Sequence, residues 1–350
     1  MKILYIPGAY PFCYYYRGLL PGVYSNQEVI QDFMRRDGQF NGQKALEKAR
    51  NVDVIVFQRP STTPSLTLAK SLKLLGKKII FENDDTYSGI PLERLENAKQ
   101  IEIAKEQKKN LDEFLKISDG AIVSTDFLKE EYGKIQPNIT TLKNCIDPID
   151  AIKCKKNETG KFRIGFIGSV TSNDDYLHIK QQLKELSDRD DITIVIMGVK
   201  YQDGTTIPAM KEDLDFWMSL KNVEWHTVVH VTEYMGYISR LALDLAVIPR
   251  KEHYFNQCKS NLKFLEMSLL GIPVLAQGFK DGTSPYQGID KEYMTIVTDN
   301  STWFDEVIKI KDNYPQYLAL AQKAKNYVLT NYNIKTYALK WTEAITKLCK

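Results

Sequence analysis

Two series of short β-branched runs, each alternating with amphipathic stretches, fill this chain, and one poorly periodic stretch divides them. The alternation fits parallel strands joined by crossover helices, in which a strand buries both faces and a helix only one. In the first series the expected strands are 2–6, 52–58, 78–82, 120–124 and 140–142, with helical patterns at 65–75 and 92–117. The second series opens at Phe162-Arg-Ile-Gly-Phe-Ile-Gly168. It continues through strands at 192–197, 223–225, 243–248, 272–275 and 295–297 and closes on amphipathic helices at 315–329 and 334–350. Between the series, Asn144-Cys-Ile-Asp-Pro148 leads into a Lys- and Asn-rich segment that ends at Gly160 and reads as a linker. A chain of 350 residues exceeds one typical core. The expected fold class is therefore α/β, with two doubly wound, Rossmann-like domains facing each other across a cleft. Residues 1–155 and 156–333 form the two domains. Ligands in such sheets sit beyond the carboxyl ends of the strands.

Composition excludes several other classes. With 43% hydrophobic and 26% charged residues the chain is a folded one, and a net charge of +3 with no basic run beyond 105–109 and 153–156 gives little support to a dedicated nucleic-acid binder. The five cysteines at 13, 145, 154, 258 and 349 form no CxxC pair and no zinc-like spacing, which suits a reducing compartment. The opening Met-Lys-Ile-Leu-Tyr-Ile-Pro-Gly is too short an apolar run for a signal peptide, and the longest apolar stretches are strand-sized. The expectation is a cytoplasmic protein, with peripheral contact at a membrane left open.

Residues 256–276 carry the most chemistry. Leu262, Leu265 and Leu269 fall at helical spacing, Gly271 is a natural stop, and Ile272-Pro-Val-Leu opens a buried strand. Lys259, Lys263 and Glu266 stand at i, i+4 and i+7, so on one helix they would share a face. That grouping reads either as an exposed polar stripe or as a ligand site. Two ammonium groups with the helix amides suit a diphosphate, and a carboxylate suits two ribose hydroxyls. Ser260 and Asn261 lie in the same segment.

Glu266-Met-Ser-Leu-Leu-Gly-Ile-Pro-Val-Leu-Ala resembles the nucleotide-binding signature of retaining GT-B glycosyltransferases of family 4, commonly Glu-Ala-Met-Ala-x-Gly-x-Pro-Val. Asn144-Cys-Ile-Asp147 resembles the Asn-Gly-Val-Asp at that family's domain junction, and 162–168 the strand that opens its second domain. Asp244-Leu-Ala-Val-Ile-Pro249 is similar to the Asp-x-x-x-x-Pro strand before the signature. The resemblance implies a GT-B fold whose last helix, about 334–350, packs back on the first domain. It implies transfer of a sugar from a nucleotide donor such as UDP- or GDP-sugar to a hydroxyl acceptor, with retention, no metal and no required cofactor. Donor-binding positions would be Gly8, Gly168, Ser169, Thr171, His230, Ser260, Asn261 and Glu266, with Lys259 and Lys263 stabilising the leaving diphosphate. Two departures stand out. Cys258 occupies the place of an acidic residue that ordinarily helps hold the donor sugar, and the loop after Gly168 lacks the usual Arg/Lys pair.

The turn after the first strand, 7–21, holds Gly8, a tyrosine cluster including Tyr15 and Tyr16, and Arg17. Gly8 allows close backbone approach, the rings can stack a sugar, and Arg17 can reach a phosphate or an acceptor carboxylate. Arg59 ends a strand, and so do Asp84 and Asp85, which are read as orienting an acceptor hydroxyl or capping a following helix rather than as holding a metal. His178, His226, His230 and His253 show no ligand spacing. The acceptor is a glycan, a lipid-linked or small molecule, or DNA. The competing readings are a catalytically silent nucleotide-sugar-binding relative and a viral-type transferase acting on modified DNA bases.

Overall fold

A computed structural model describes residues 1–8, 11–31, 42–90, 98–168, 173–198, 211–289 and 291–350. The chain forms two compact units. One comprises Met1–Asp147 with Cys258–Ser260 and Tyr332–Lys350; the other comprises Pro148–Gln257 and Asn261–Asn331.

The first unit is built on strands β1 (Ile3–Ile6), β2 (Glu28–Val29), β3 (Val54–Gln58), β4 (Lys78–Asn83), β5 (Gly120–Val123) and β6 (Ile139–Thr141). They lie side by side in the order β2-β1-β3-β4-β5-β6, all parallel. Alternate residues Leu4, Ile6, Ile55, Phe57, Ile79 and Phe81 meet the helices Thr63–Leu74 and Ala98–Ile117 through Leu66, Leu111 and Phe114. Thr62 caps the first of these helices by accepting from the Ser65 amide. The helix Ile334–Leu348 belongs to this unit, where the ring of Trp341 stands edge-on to Tyr5 at 6.4 Å.

The segment after β1 departs from the expected turn and is largely helical. It runs through Pro11–Tyr14, a π-turn at Tyr15–Leu19 and Leu20–Tyr24. Pro21 has no N–H to donate one turn back, so an unbroken α-ladder could not pass it. The ladder widens just before it, where the Leu20 amide bonds the Tyr15 carbonyl.

The second unit repeats the plan with β7 (Phe162–Ile167), β8 (Ile192–Met197), β9 (Val223–His226), β10 (Leu245–Ile248), β11 (Val274–Gln277) and β12 (Thr295–Val297). Their order is β12-β11-β10-β7-β8-β9, again all parallel. Phe166, Ile194, Leu245 and Leu275 share a core with Trp217, Trp303 and Val307. The helix Leu262–Leu269 ends as expected at Gly271, whose φ is +73°. The Gly271 and Ile272 amides close on the Ser268 and Met267 carbonyls, a Schellman cap that needs a left-handed residue.

In each sheet the first strand has later strands on both sides. The order therefore reverses between β1 and β3 in one unit and between β7 and β10 in the other. Such switch points open a crevice at the carboxyl ends of the strands.

Candidate functional site

At the first unit's switch point β1 runs into Gly8 and β3 into Arg59. A Cβ on Gly8 would stand 2.4 Å from the Gln58 carbonyl oxygen, so only glycine lets the two strand ends approach this closely. Arg59 takes a left-handed φ of 49°, an uncommon conformation for a residue with a side chain. Its Nη1 donates to Cys13 Sγ at 3.2 Å, and its Nη2 to Asp85 Oδ2 at 3.4 Å. Asp84 Oδ1 is 3.8 Å from the same guanidinium. Lys259 Nζ reaches Asp85 Oδ2 at 2.7 Å. Burial alone would raise the Asp85 carboxyl, but Lys259 and Arg59 outweigh it and hold it below the usual carboxylate range. Asp85 Oδ1 accepts from the Thr86 amide, and among the described residues no helix follows directly that either aspartate could cap. The structure thus brings Arg59, Asp84, Asp85 and Lys259 together.

Arg17 is not the outward-reaching cation that the sequence suggests. It is fully buried. Its Nε donates to Glu82 Oε1 at 2.6 Å and its Nη1 to the Leu142 carbonyl and Asn144 Oδ1, while Trp341 lies against the guanidinium at 4.7 Å. The widened π-turn carries the side chain into the unit. Tyr15 and Tyr16 meet edge to face at 5.1 Å, with Tyr16 buried and Tyr15 half-buried.

Burial pushes the Glu82 carboxyl up to about 8, against the partial pull of Arg17. An unfolded glutamate releases its proton near pH ~4.3. Between those values the folded chain binds more protons, so this group makes stability fall as pH rises from about 4 to about 8. Glu82→Gln should flatten that slope, which urea titrations at pH 5 and pH 8.5 measure. A variant as pH-steep as the wild type would contradict the assignment.

In the second unit the helix Leu262–Leu269 carries Lys263 and Glu266. Glu266 is only 2% exposed, and its Oε2 accepts from Lys263 Nζ at 2.9 Å and from the Tyr234 hydroxyl at 3.1 Å. Lys263 Nζ also contacts that hydroxyl at 2.5 Å and lies 4.8 Å over the Tyr234 ring. Burial, joined by the Glu266 charge, pushes the phenol well above its ordinary value, so Tyr234 is a donor throughout the working pH range. His230 caps the helix Val231–Arg240, and its Nδ1 pairs with Thr232 Oγ1 at 2.8 Å. Gly168 follows β7 directly; Ser169 and Thr171 lie outside the described residues.

The expected shared face of Lys259, Lys263 and Glu266 does not form. The helix starts at Leu262, and Lys259 precedes it in the tripeptide that belongs to the first unit. Cys258 explains why. Its side chain is buried in the first unit's core and its carbonyl accepts from Thr125 Oγ1, so these residues are anchored there before the helix can begin. An acid at 258 would place a charge among apolar side chains, at a cost of several kcal/mol (order ~3–5). Ser260 Oγ accepts from Asn144 Nδ2 in the same unit, and Asn261 stands at the helix N-cap without a side-chain cap bond.

Sequence reasoning missed Tyr234 and Arg250. Arg250 follows β10 by two residues, and its Nη1 donates to the buried Asp175 carboxylate at 2.9 Å. Asp175 also accepts from the Lys251 amide and from Asn256 Nδ2. Arg250 sits in the polar run Arg-Lys-Glu-His, which reads as loop; its place just past a strand end was the available signal. A recess of about 20 Å³ opens here, lined by Ile167, Val247, Ile248, Pro249, Arg250 and Lys263. No group of acids, histidines or cysteines suited to a metal occurs among the described residues. Nor is any described helix long and apolar enough to cross a membrane.

The two sheets, their order and their switch points define a GT-B fold. Solved proteins share it along their whole lengths. HepE of Anabaena, determined in complex with UDP-glucose, matches 99% of this chain and 100% of its own at 11% identity and a TM-score of 0.67. A glycosyltransferase from Rickettsia africae covers 100% and 98% at 13% identity and a TM-score of 0.65. Sucrose-phosphate synthase from Thermosynechococcus elongatus covers 99% of each chain at 10% identity and a TM-score of 0.64. At such identities the likeness is one of fold. No family model and no curated protein matches the sequence.

Proposed function

We propose that the protein is a glycosyltransferase that moves a sugar from a nucleoside-diphosphate donor to a hydroxyl acceptor, the second unit taking the donor. The observation that carries this reading is the Lys263–Glu266–Tyr234 set, a buried carboxylate fixed between an ammonium and a phenol in a GT-B unit. Glu266 would accept the two ribose hydroxyls. Lys263 would stabilise the charge that builds on the diphosphate as the glycosidic bond breaks. The first unit would take the acceptor, with Asp84, Asp85, Arg59 and Lys259 as its charged set, so that Lys259 would serve the acceptor side and not the leaving diphosphate. Retention and independence of metal would follow from the family resemblance, and a cytoplasmic site from the scattered cysteines, which form no CxxC pair.

A thermal-shift panel of UDP-, GDP-, ADP-, dTDP- and CMP-sugars tests the reading, because a ligand that binds the folded state raises apparent stability. One class should raise the melting temperature and be slowly hydrolysed. Binding without turnover points to a silent relative, and no binding at all overturns the assignment. Glu266→Gln keeps the side chain's shape and should weaken nucleotide binding about 10- to 100-fold while shifting stability little. Titration calorimetry beside a melting curve separates the two effects.

A further inference from the structure

The helix Thr63–Leu74 turns Leu66, Ala69 and Leu72 into the first unit's core, but Leu74 and Leu75 at its end are 89% and 65% exposed. No other large apolar side chain among the described residues is as exposed as Leu74. The pair sits on a braced turn. Gly76, with a φ of +76°, lets the chain reverse, and the Gly76 and Lys77 amides close on the Lys73 and Leu72 carbonyls. Lys77 Nζ then ties the turn to the segment before β3, donating to the Arg50 and Val52 carbonyls at 3.0 and 2.7 Å. Two adjacent leucines are thus held in water where they add nothing to the core. Cations frame them. Lys73 and Lys78 lie 3.1 and 3.3 Å from the two oxygens of Asp119, and Arg50 is exposed. Arg50, Lys73, Lys77 and Lys78 together outweigh the nearby Asp53 and Asp119. The surplus extends to the whole first unit, where 26 Lys and Arg stand against 20 Asp and Glu; in the second unit 21 stand against 24. The turn lies at the amino ends of β3 and β4, so it occupies the end of the sheet opposite the switch-point crevice.

We infer that the turn 74–78 is a docking point for the surface of an anionic phospholipid bilayer, with the two leucines entering the interface and the surrounding cations meeting lipid phosphates. The combination of apolar pair and positive charge selects this occupant. A second copy of the chain would set the same cations against one another, and two leucines cover far less than the roughly 800 Å² per partner of a stable protein interface. A nucleic acid would meet the cations and leave the leucines in water. A negatively charged bilayer takes both, because acyl chains receive the leucines and headgroups attract Lys and Arg. Attachment through the amino ends of the strands leaves the crevice at their carboxyl ends turned away from the bilayer. Docking and ligand entry then use different ends of the first unit, so the inference does not depend on the donor reading.

The test is sedimentation of the full chain with phosphatidylcholine vesicles, with and without phosphatidylglycerol, at low and high salt. The wild type should sediment with the anionic vesicles and be released by salt. Leu74→Ser/Leu75→Ser should weaken that partitioning about 10- to 100-fold, and Arg50→Gln about 5-fold. Both changes are at exposed positions, and a melting curve for each variant checks that the fold is intact. Leu318→Ser, which removes an exposed leucine from the second unit, should leave partitioning unchanged. A wild type that sediments with neither vesicle, or a folded double variant that sediments as the wild type does, overturns the docking point. Sedimentation indifferent to phosphatidylglycerol and to salt overturns it too, and so does a mobility shift with duplex DNA in the absence of vesicle binding. The nucleotide-sugar thermal shift of the double variant should match that of the wild type, so docking and sugar transfer are judged separately.

Discussion

Replacing Lys263 by alanine is expected to lower sugar transfer about 100- to 1000-fold, the loss typical when one fixed group facing developing charge is removed. The structure adds a second expectation. Glu266 is buried and shares its Oε2 between Lys263 and Tyr234, so the alanine takes the ammonium away from this buried carboxylate. That should cost stability as well, roughly 1–3 kcal/mol. A double variant, Lys263→Met with Glu266→Gln, removes both charges and keeps most of the volume. It should melt near the wild type and remain inactive. Transfer at the wild-type rate by Lys263→Ala, measured with the donor class found in the thermal-shift panel, would sink the donor assignment.

The second large effect is on folding rather than chemistry. Arg17→Ala should destabilise the protein by about 3 kcal/mol or more, because each buried acceptor left without its donor costs about 1–3 kcal/mol. Three acceptors lose their donor at once: Glu82, the Leu142 carbonyl and Asn144. Trp341 loses the guanidinium stacked against it. Arg17→Lys should recover little, because an ammonium cannot reproduce the fork that serves Glu82 through Nε and Leu142 through Nη1. Urea unfolding followed by tryptophan fluorescence reads the loss. A variant as stable as the wild type but unable to use an acceptor would return Arg17 to the acceptor side.

Both expectations depend on geometry that the sequence showed only in part. Strands such as Ile192–Met197 and Thr295–Val297 were legible to the residue, because parallel strands buried on both faces leave continuous apolar runs between polar connections. The helix stop at Gly271 was legible because a left-handed cap selects for glycine. Glu28–Val29 was not: a two-residue edge strand pairs through its backbone and has no room for a periodic signal. At the site, Glu266 and Lys263 were placed correctly on one helix, since a three-residue spacing is local. Lys259 was misplaced because the start of that helix is decided by Cys258, a long-range packing event that periodicity cannot register. Arg17 was misread for a related reason. A lone arginine among tyrosines looks solvent-facing until the partner carboxylate, 65 residues away, is known.

The three residues Cys258–Ser260, which belong with the first unit while the sequence on both sides belongs to the second, bear on how such a chain can be recombined. Neither unit is a single continuous segment. An exchange of halves that joined two parents only near residue 148 would strip the recipient of its own Cys258, of Lys259 beside Asp85, and of the helix that brings Trp341 to Arg17. A functional chimera has to be spliced at four points, so that 258–260 and 332–350 travel with 1–147. With the proposed donor role for the second unit, point substitution inside it should change donor preference at less cost to the fold than its wholesale replacement.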